Sequence, residues 1–378
     1  MNMPESFKVK NNILKNAVDS IYNNTGKASR EFVMPKDRNR IDRVTAILEQ
    51  SPQGKYLLDT AKENNFSIHF EPTLEDMGVC SYEQKSIYIN GNVNDAMAVS
   101  ILAHELRHAC QYSNGMNLYA ESDNTKTQIQ INRAMEADAE ANAGFVALEL
   151  KSIGFDAPWN EFKKDGPEVA KLIEETLSKN GGEIESNKSA LLLAGFKGWY
   201  NDFNIREQYD SQQVEVLDKI RDENMMNIVG FDRSCPSNII VRKICKTPEH
   251  SNYFDDNKES PDLLDTQHYL GISRKNMDLL NDYFEVRKAK HNIQPDDSLV
   301  EIPTYKYINE KKNPHSRGNT KSVYWESIIK IKKEKSKKLA IEENKNRYIE
   351  QASAAKSQDS ASTVPASALI KQNIANLR

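Results

Sequence analysis

His104, Glu105 and His108 stand together in the stretch "ILAHELRHACQ", residues 101–111. On a helix, two histidines four residues apart lie one turn above the other on one face, so both rings can grip a single metal ion. The glutamate after the first histidine then stands near the ion's open side, where it can take a proton from bound water. Zinc lowers the pKa of such water to about 7, which makes hydroxide available at neutral pH. The chemistry this spacing points to is metal-assisted hydrolysis, with Zn2+ as cofactor and Glu105 as general base. The plainer alternative is a surface helix with two solvated histidines.

The elements that must position these residues weigh against that alternative. "FSIHFEP" (66–72) alternates apolar and polar residues and reads as a strand. "GVCSYEQKSIYINGN" (78–92) reads as two short strands around a polar turn at Glu83 to Lys85. A helix follows, with Asn94 as N-cap and Asp95 in its first turn. Ala98, Leu102, Leu106 and Ala109 line one face, while His104 and His108 share another with Glu105 beside them. Cys110 lies about 200° round from His108 and belongs to the core. After the turn-rich "SNGMNLYAESDNTK", the Ala- and Glu-rich stretch from about Gln128 to Phe155 predicts a long helix. Its "EADAE" segment offers three carboxylates for a third ligand. Glu136 and Glu140 lie within about 40° of each other, whereas Asp138 is about 200° from Glu136. Only one face can look at the histidine pair, so the ligand is Glu136 or Glu140.

"SIYING" followed by "LAHELRHACQ" resembles the edge strand and active-site helix of the zincin metallopeptidases. "EADAEANA" (136–143) resembles the second helix of their gluzincin branch. That resemblance implies an α+β mini-zincin core, a small sheet with an active-site helix and a glutamate helix, carrying additional mostly helical regions. It implies Glu136 as the third zinc ligand. It also implies Glu140 as the carboxylate that orients a ligand histidine, although Glu140 is longer than the aspartate or asparagine usual there. More narrowly, "HELRHACQ", "RAMEADAEA" and "FKGWYNDFNIREQYD" (196–210) resemble a family of uncharacterised bacterial metallopeptidase-like proteins. Some relatives look like virulence effector proteases delivered into host cells. Zincin transition states need a donor facing the oxyanion, and Tyr209, in that downstream segment, is the first candidate. Tyr112 and Tyr119 are weaker ones, and Arg206 reads as a surface salt bridge.

The whole chain sets wider bounds. Its 378 residues carry a net charge of -4, without the basic excess of a nucleic-acid binder. Four scattered cysteines form no Cys-x-x-Cys pair and read as reduced. No Sec-type signal and no transmembrane segment is evident, so the expected location is the cytoplasm, or outside it by a route without such a signal, a host cell included. The expected divisions are an N-terminal helical region at 1–55, a zinc metallopeptidase domain at 56–215, a mostly helical region at 216–350 and a disordered tail at 351–378. At the end of the third region, the stretch 322–351 reads as a charged, solvated helix. The expected activity is zinc-dependent endopeptidase action on a protein substrate. In a host cell the expected substrate would be a cytoskeletal protein such as actin. The alternative is a non-catalytic metal-binding interaction module with a zincin fold, but zinc binding alone does not need a glutamate between the histidines.

Overall fold

The structure is a computed structural model that describes residues 37–116, 123–224, 233–249, 251–291 and 297–305. The stretch before residue 37, the charged helix at 322–351, the tail at 351–378 and Tyr119 lie outside the described residues. The described residues belong to one unit, 1–323.

Two helices, α1 (Asp37–Leu48) and α2 (Pro52–Glu63), precede a three-stranded sheet of β1 (Ser67–Glu71), β2 (Gly78–Ser81) and β3 (Ser86–Asn90). β3 is central: β1 runs parallel to it with Ser67 opposite Ser86, and β2 antiparallel with Ser81 opposite Ser86. The turn between β2 and β3 closes through Lys85 in the left-handed region, at φ 49°. β2 is therefore an edge strand, and it packs on the next helix, α3 (Asp95–Ser113).

α3 starts where its sequence says it should. The Asn94 side chain accepts the Met97 N–H, satisfying one of the first-turn donors that no carbonyl of the helix can reach. Arg40 of α1 holds the same corner, donating to the Gly91 carbonyl at 2.7 Å, to the Val93 carbonyl and to Asp95 at 2.8 Å. Ala98, Leu102, Leu106 and Ala109 are all buried, as the helical spacing predicts.

α4 (Thr125–Ser152) is the central helix. From Thr125 to Leu150 only Lys126 and Glu140 are not buried. A helix buried all round needs small residues where its neighbours approach and partners for every polar group it carries. Gly144 leaves room for the Phe162 ring, whose Cζ would stand 2.7 Å from an added Cβ. Around α4 pack α3, α5 (Asp156–Asp165), α6 (Pro167–Lys179), α7 (Lys188–Asn201) and α8 (Phe203–Asn224). The expected division at 215/216 falls inside α8. The apolar core runs on through α9 (Ser237–Ile244) and α10 (Tyr253–Asp256) as far as Tyr269 on α11 (Gln267–Leu270). A smaller cluster joins Ile129, Val214 and Leu217 to Met277 and Leu280 of α12 (Arg274–His291), beside the short pair β4 (Ile272–Ser273) and β5 (Thr304–Tyr305). The described fold is thus α+β, helix-dominated with small sheets. No helix among the described residues is long and apolar enough to cross a membrane.

Arg206 is not on the surface. Its guanidinium is fully buried, donating to the carbonyls of Tyr200 at 3.1 Å and His268 at 2.5 Å, and it stacks over Phe203. Backbone carbonyls of α7 and α11 take the charge, and sequence spacing gives no sign of them.

Arg133 of α4 and Asp210 of α8 form a paired bridge at 2.8 and 2.7 Å with both side chains buried. Asp210→Asn leaves that guanidinium without its counter-charge in a dry interior, which costs about 3–5 kcal/mol. Chemical denaturation of the variant against the wild type measures it.

Candidate metal centre

The two histidine rings of α3 turn their Nε2 atoms toward each other, 3.1 Å apart. Glu136 of α4 completes a triangle: its Oε2 is 3.3 Å from His104 Nε2 and its Oε1 is 3.5 Å from His108 Nε2. The three residues form a group able to hold one ion, with one ligand atom from each lying within 4.8 Å of the others. Four-coordinate zinc with bonds near 2.0–2.1 Å separates its ligand atoms by about 3.3 Å. The observed edges match that spacing, so these residues fit a small tetrahedral cation.

The far side of each ring has a partner. His104 Nδ1 lies 2.9 Å from Glu140 Oε2, and His108 Nδ1 lies 2.9 Å from Gln111 Oε1. Both partners are oxygens, so each ring donates from Nδ1 and keeps an Nε2 lone pair for the centre. Three acceptors then face one point, which calls for positive charge. Titration directions agree. Burial opposes charge on His104 and His108, yet Glu136 raises both, and Glu140 raises His104 further. Burial lifts Glu136, but His108 and His104 outweigh it and hold that carboxyl well below its usual range. The His104 and Glu136 side chains keep 13% and 12% exposure, which leaves the centre open to solvent.

Glu105 points from α3 toward β2. Burial raises its pKa, while His104, His108 and, to a smaller extent, the backbone of Cys80 pull it down. The strand comes unusually close here. A Cβ built on Gly78 would stand 2.7 Å from Glu105 Oε1 and 2.6 Å from Ile101 Cγ2. Glycine at 78 is therefore a requirement of space rather than of backbone angle. Gly166 leaves similar room for Glu140, whose Oε1 would be 2.7 Å from an added Cβ.

Asp138 turns away from Glu136, as the helix geometry requires, and enters a buried polar hub. It accepts from Arg107 Nε at 2.6 Å and Nη2 at 3.1 Å, from Gln111 Nε2 at 2.6 Å, from the Tyr253 hydroxyl at 3.0 Å and from Asn142 Nδ2 at 3.2 Å. Arg107 Nη2 also donates to the carbonyls of Ile244 and Lys246 at 2.7 and 2.8 Å. Sequence reasoning missed Gln111. The available signal was its place three residues after His108, a spacing at which helical side chains meet.

The remaining candidates are placed as follows. Tyr209 sets its ring 5.7 Å from Trp199 and packs on the core, while Tyr112 lies 5.3 Å from the ring of Tyr82. His69 bonds to Ser67 Oγ at 2.8 Å and stacks on Tyr88. Cys110 is buried, and all four cysteines are free thiols.

Gly78→Ala forces an added methyl group into the Glu105 carboxylate and the Ile101 side chain. Overpacking of this kind costs about 1–3 kcal/mol, to be read from the urea midpoint of the variant.

No curated protein and no solved structure matches this chain. A family model does match, over residues 26–254 and so over more than half of the 378. Its span takes in the paired histidines, the glutamate between them and the carboxylates of α4, and by that match the chain belongs to the putative metallopeptidase family DUF6782.

Proposed function

We propose that the chain is a zinc-dependent endopeptidase, with His104, His108 and Glu136 as zinc ligands and Glu105 as general base. One observation carries this reading: two Nε2 atoms and a carboxylate converge at tetrahedral ligand spacing, with both Nδ1 atoms already committed to oxygens. Bound zinc would supply a polarised water and a Lewis acid for the scissile carbonyl.

The rest is the work of the chain's own side chains. Glu105 takes the proton from the attacking water and later passes it to the leaving amine. The close approach of β2 at Gly78 confines the carboxylate for both transfers. Glu140 orients His104. Tyr209 is the proposed hydroxyl donor to the oxyanion. β2 pairs on one side only, with β3, so an extended peptide can add to its free edge beside Glu105. That arrangement favours a protein or peptide substrate.

Glu105→Ala should keep fold and zinc while peptide turnover falls by roughly 10²–10⁴. Zinc content and peptide cleavage, measured on the same preparation, test this. Retention of more than about a tenth of the activity would remove Glu105 from the mechanism. A wild-type chain that holds zinc but cleaves no protein or peptide would instead be a metal-binding module.

The ligand set has its own test, a graded chelator series followed by zinc analysis. Glu136→Gln loses zinc at the mildest chelator, and Glu140→Ala weakens binding by roughly 10–100-fold. Equal retention by Glu136→Gln and wild type would exclude Glu136 as a ligand.

A further inference from the structure

Gln111 bridges the two helices that carry the metal centre. It is fully buried. Its oxygen faces His108 Nδ1 at 2.9 Å, while its nitrogen lies 3.0 Å from the Met135 carbonyl and 2.6 Å from Asp138 Oδ2. Which way round the amide sits is decided by those last two contacts. A carbonyl and a carboxylate surrounded by donors can only accept. Turning the amide over would press its oxygen against both of them in a dry interior, acceptor against acceptor with no proton between. The Gln111 oxygen is therefore fixed toward His108, and an oxygen there can only accept. His108 must then carry its proton on Nδ1 and present a bare Nε2.

The same amide also reaches the backbone of α4. Met135 is the residue before Glu136, so one side chain of α3 holds His108 in orientation and grips the turn that presents Glu136. His104 is served differently, by a largely buried carboxylate of α4, Glu140. A neutral amide at His108 does the orienting without adding a further negative charge beside the two histidines.

We propose that Gln111 is a positioning residue for the metal centre: it locks the Nδ1–H tautomer of His108 and sets α3 against α4 at Glu136, with Asp138 fixing the sense of its amide. This rests on the reading of His108 as a ligand through Nε2.

The test uses the full chain loaded with zinc and labelled with ¹⁵N at histidine. In the wild type, His108 should coordinate through Nε2 and show an Nδ1–H resonance protected from solvent exchange. In Gln111→Met, which keeps the side-chain length without its polar atoms, the zinc dissociation constant should rise roughly 10–100-fold. The His108 Nδ1–H should then exchange rapidly while that of His104 stays protected. A merely structural role for Gln111 would lower the melting temperature and leave both Nδ1–H resonances protected in the folded variant. Zinc affinity within about threefold of wild type in the folded variant overturns the proposal. Coordination of His108 through Nδ1 in the wild type also overturns it, and that spectrum decides the matter even where Gln111→Met does not fold. A wild-type chain that takes up no zinc brings down the metal reading first, and this inference with it. Normal wild-type zinc uptake with an unaffected variant brings down this inference alone.

Discussion

The contact between Arg107 and Asp138 holds the two functional helices in register. Both side chains are fully buried and meet at 2.6 Å. Arg107 sits immediately before His108, and Asp138 two residues after Glu136, so the ion pair and the candidate ligands occupy opposite faces of one helix crossing. A charge pair removed from water is expensive unless its geometry and hydrogen bonds are complete. Here the donors around Asp138 and the two carbonyls on Arg107 nearly complete them, leaving only Arg107 Nη1 without a protein partner. A slide of one helix along the other would break the bonds of Arg107 and Gln111 to Asp138 together. The pair thus specifies a single register, and the register places Glu136 opposite the histidines.

That placement works against local electrostatics. Two lone pairs and a carboxylate crowd one point, and each prefers a proton or a metal ion to its neighbours. The surroundings hold them there by blocking escape: the rings are tied at Nδ1, the carboxylate rides on a helix buried on nearly every side, and β2 closes over Glu105. Rigid elements hold such a site more closely than loops would.

Much of this was legible from spacing alone. Helical periodicity separates the His104–His108 face from the apolar face of α3, and it puts Glu136 and Glu140 together with Asp138 opposed. Asn94 and the turn at Glu83 to Lys85 mark element ends through local chemistry. What could not be read depends on contacts between distant parts of the chain. Tyr253 reaches Asp138 across 115 residues, and Arg206 finds carbonyl partners where a surface bridge was expected. Gly78 looks like any glycine at a strand start until α3 is packed against it. Gln111 was within reach of periodicity, but its role depends on Asp138 and Met135, which only the helix crossing brings near.

The Arg107 bridge to Ile244 and Lys246 bears on how the protein can be dissected. The segment that contributes those carbonyls, together with Tyr253, lies far beyond the last candidate ligand in sequence. A shortened chain ending after α8 would keep every residue with a proposed chemical role. It would also strip the Asp138 hub of its hydroxyl donor and leave a buried guanidinium facing solvent or an empty seam. The smallest fragment able to hold the candidate site is therefore set by the supports of the helix crossing, and it must extend at least through α10.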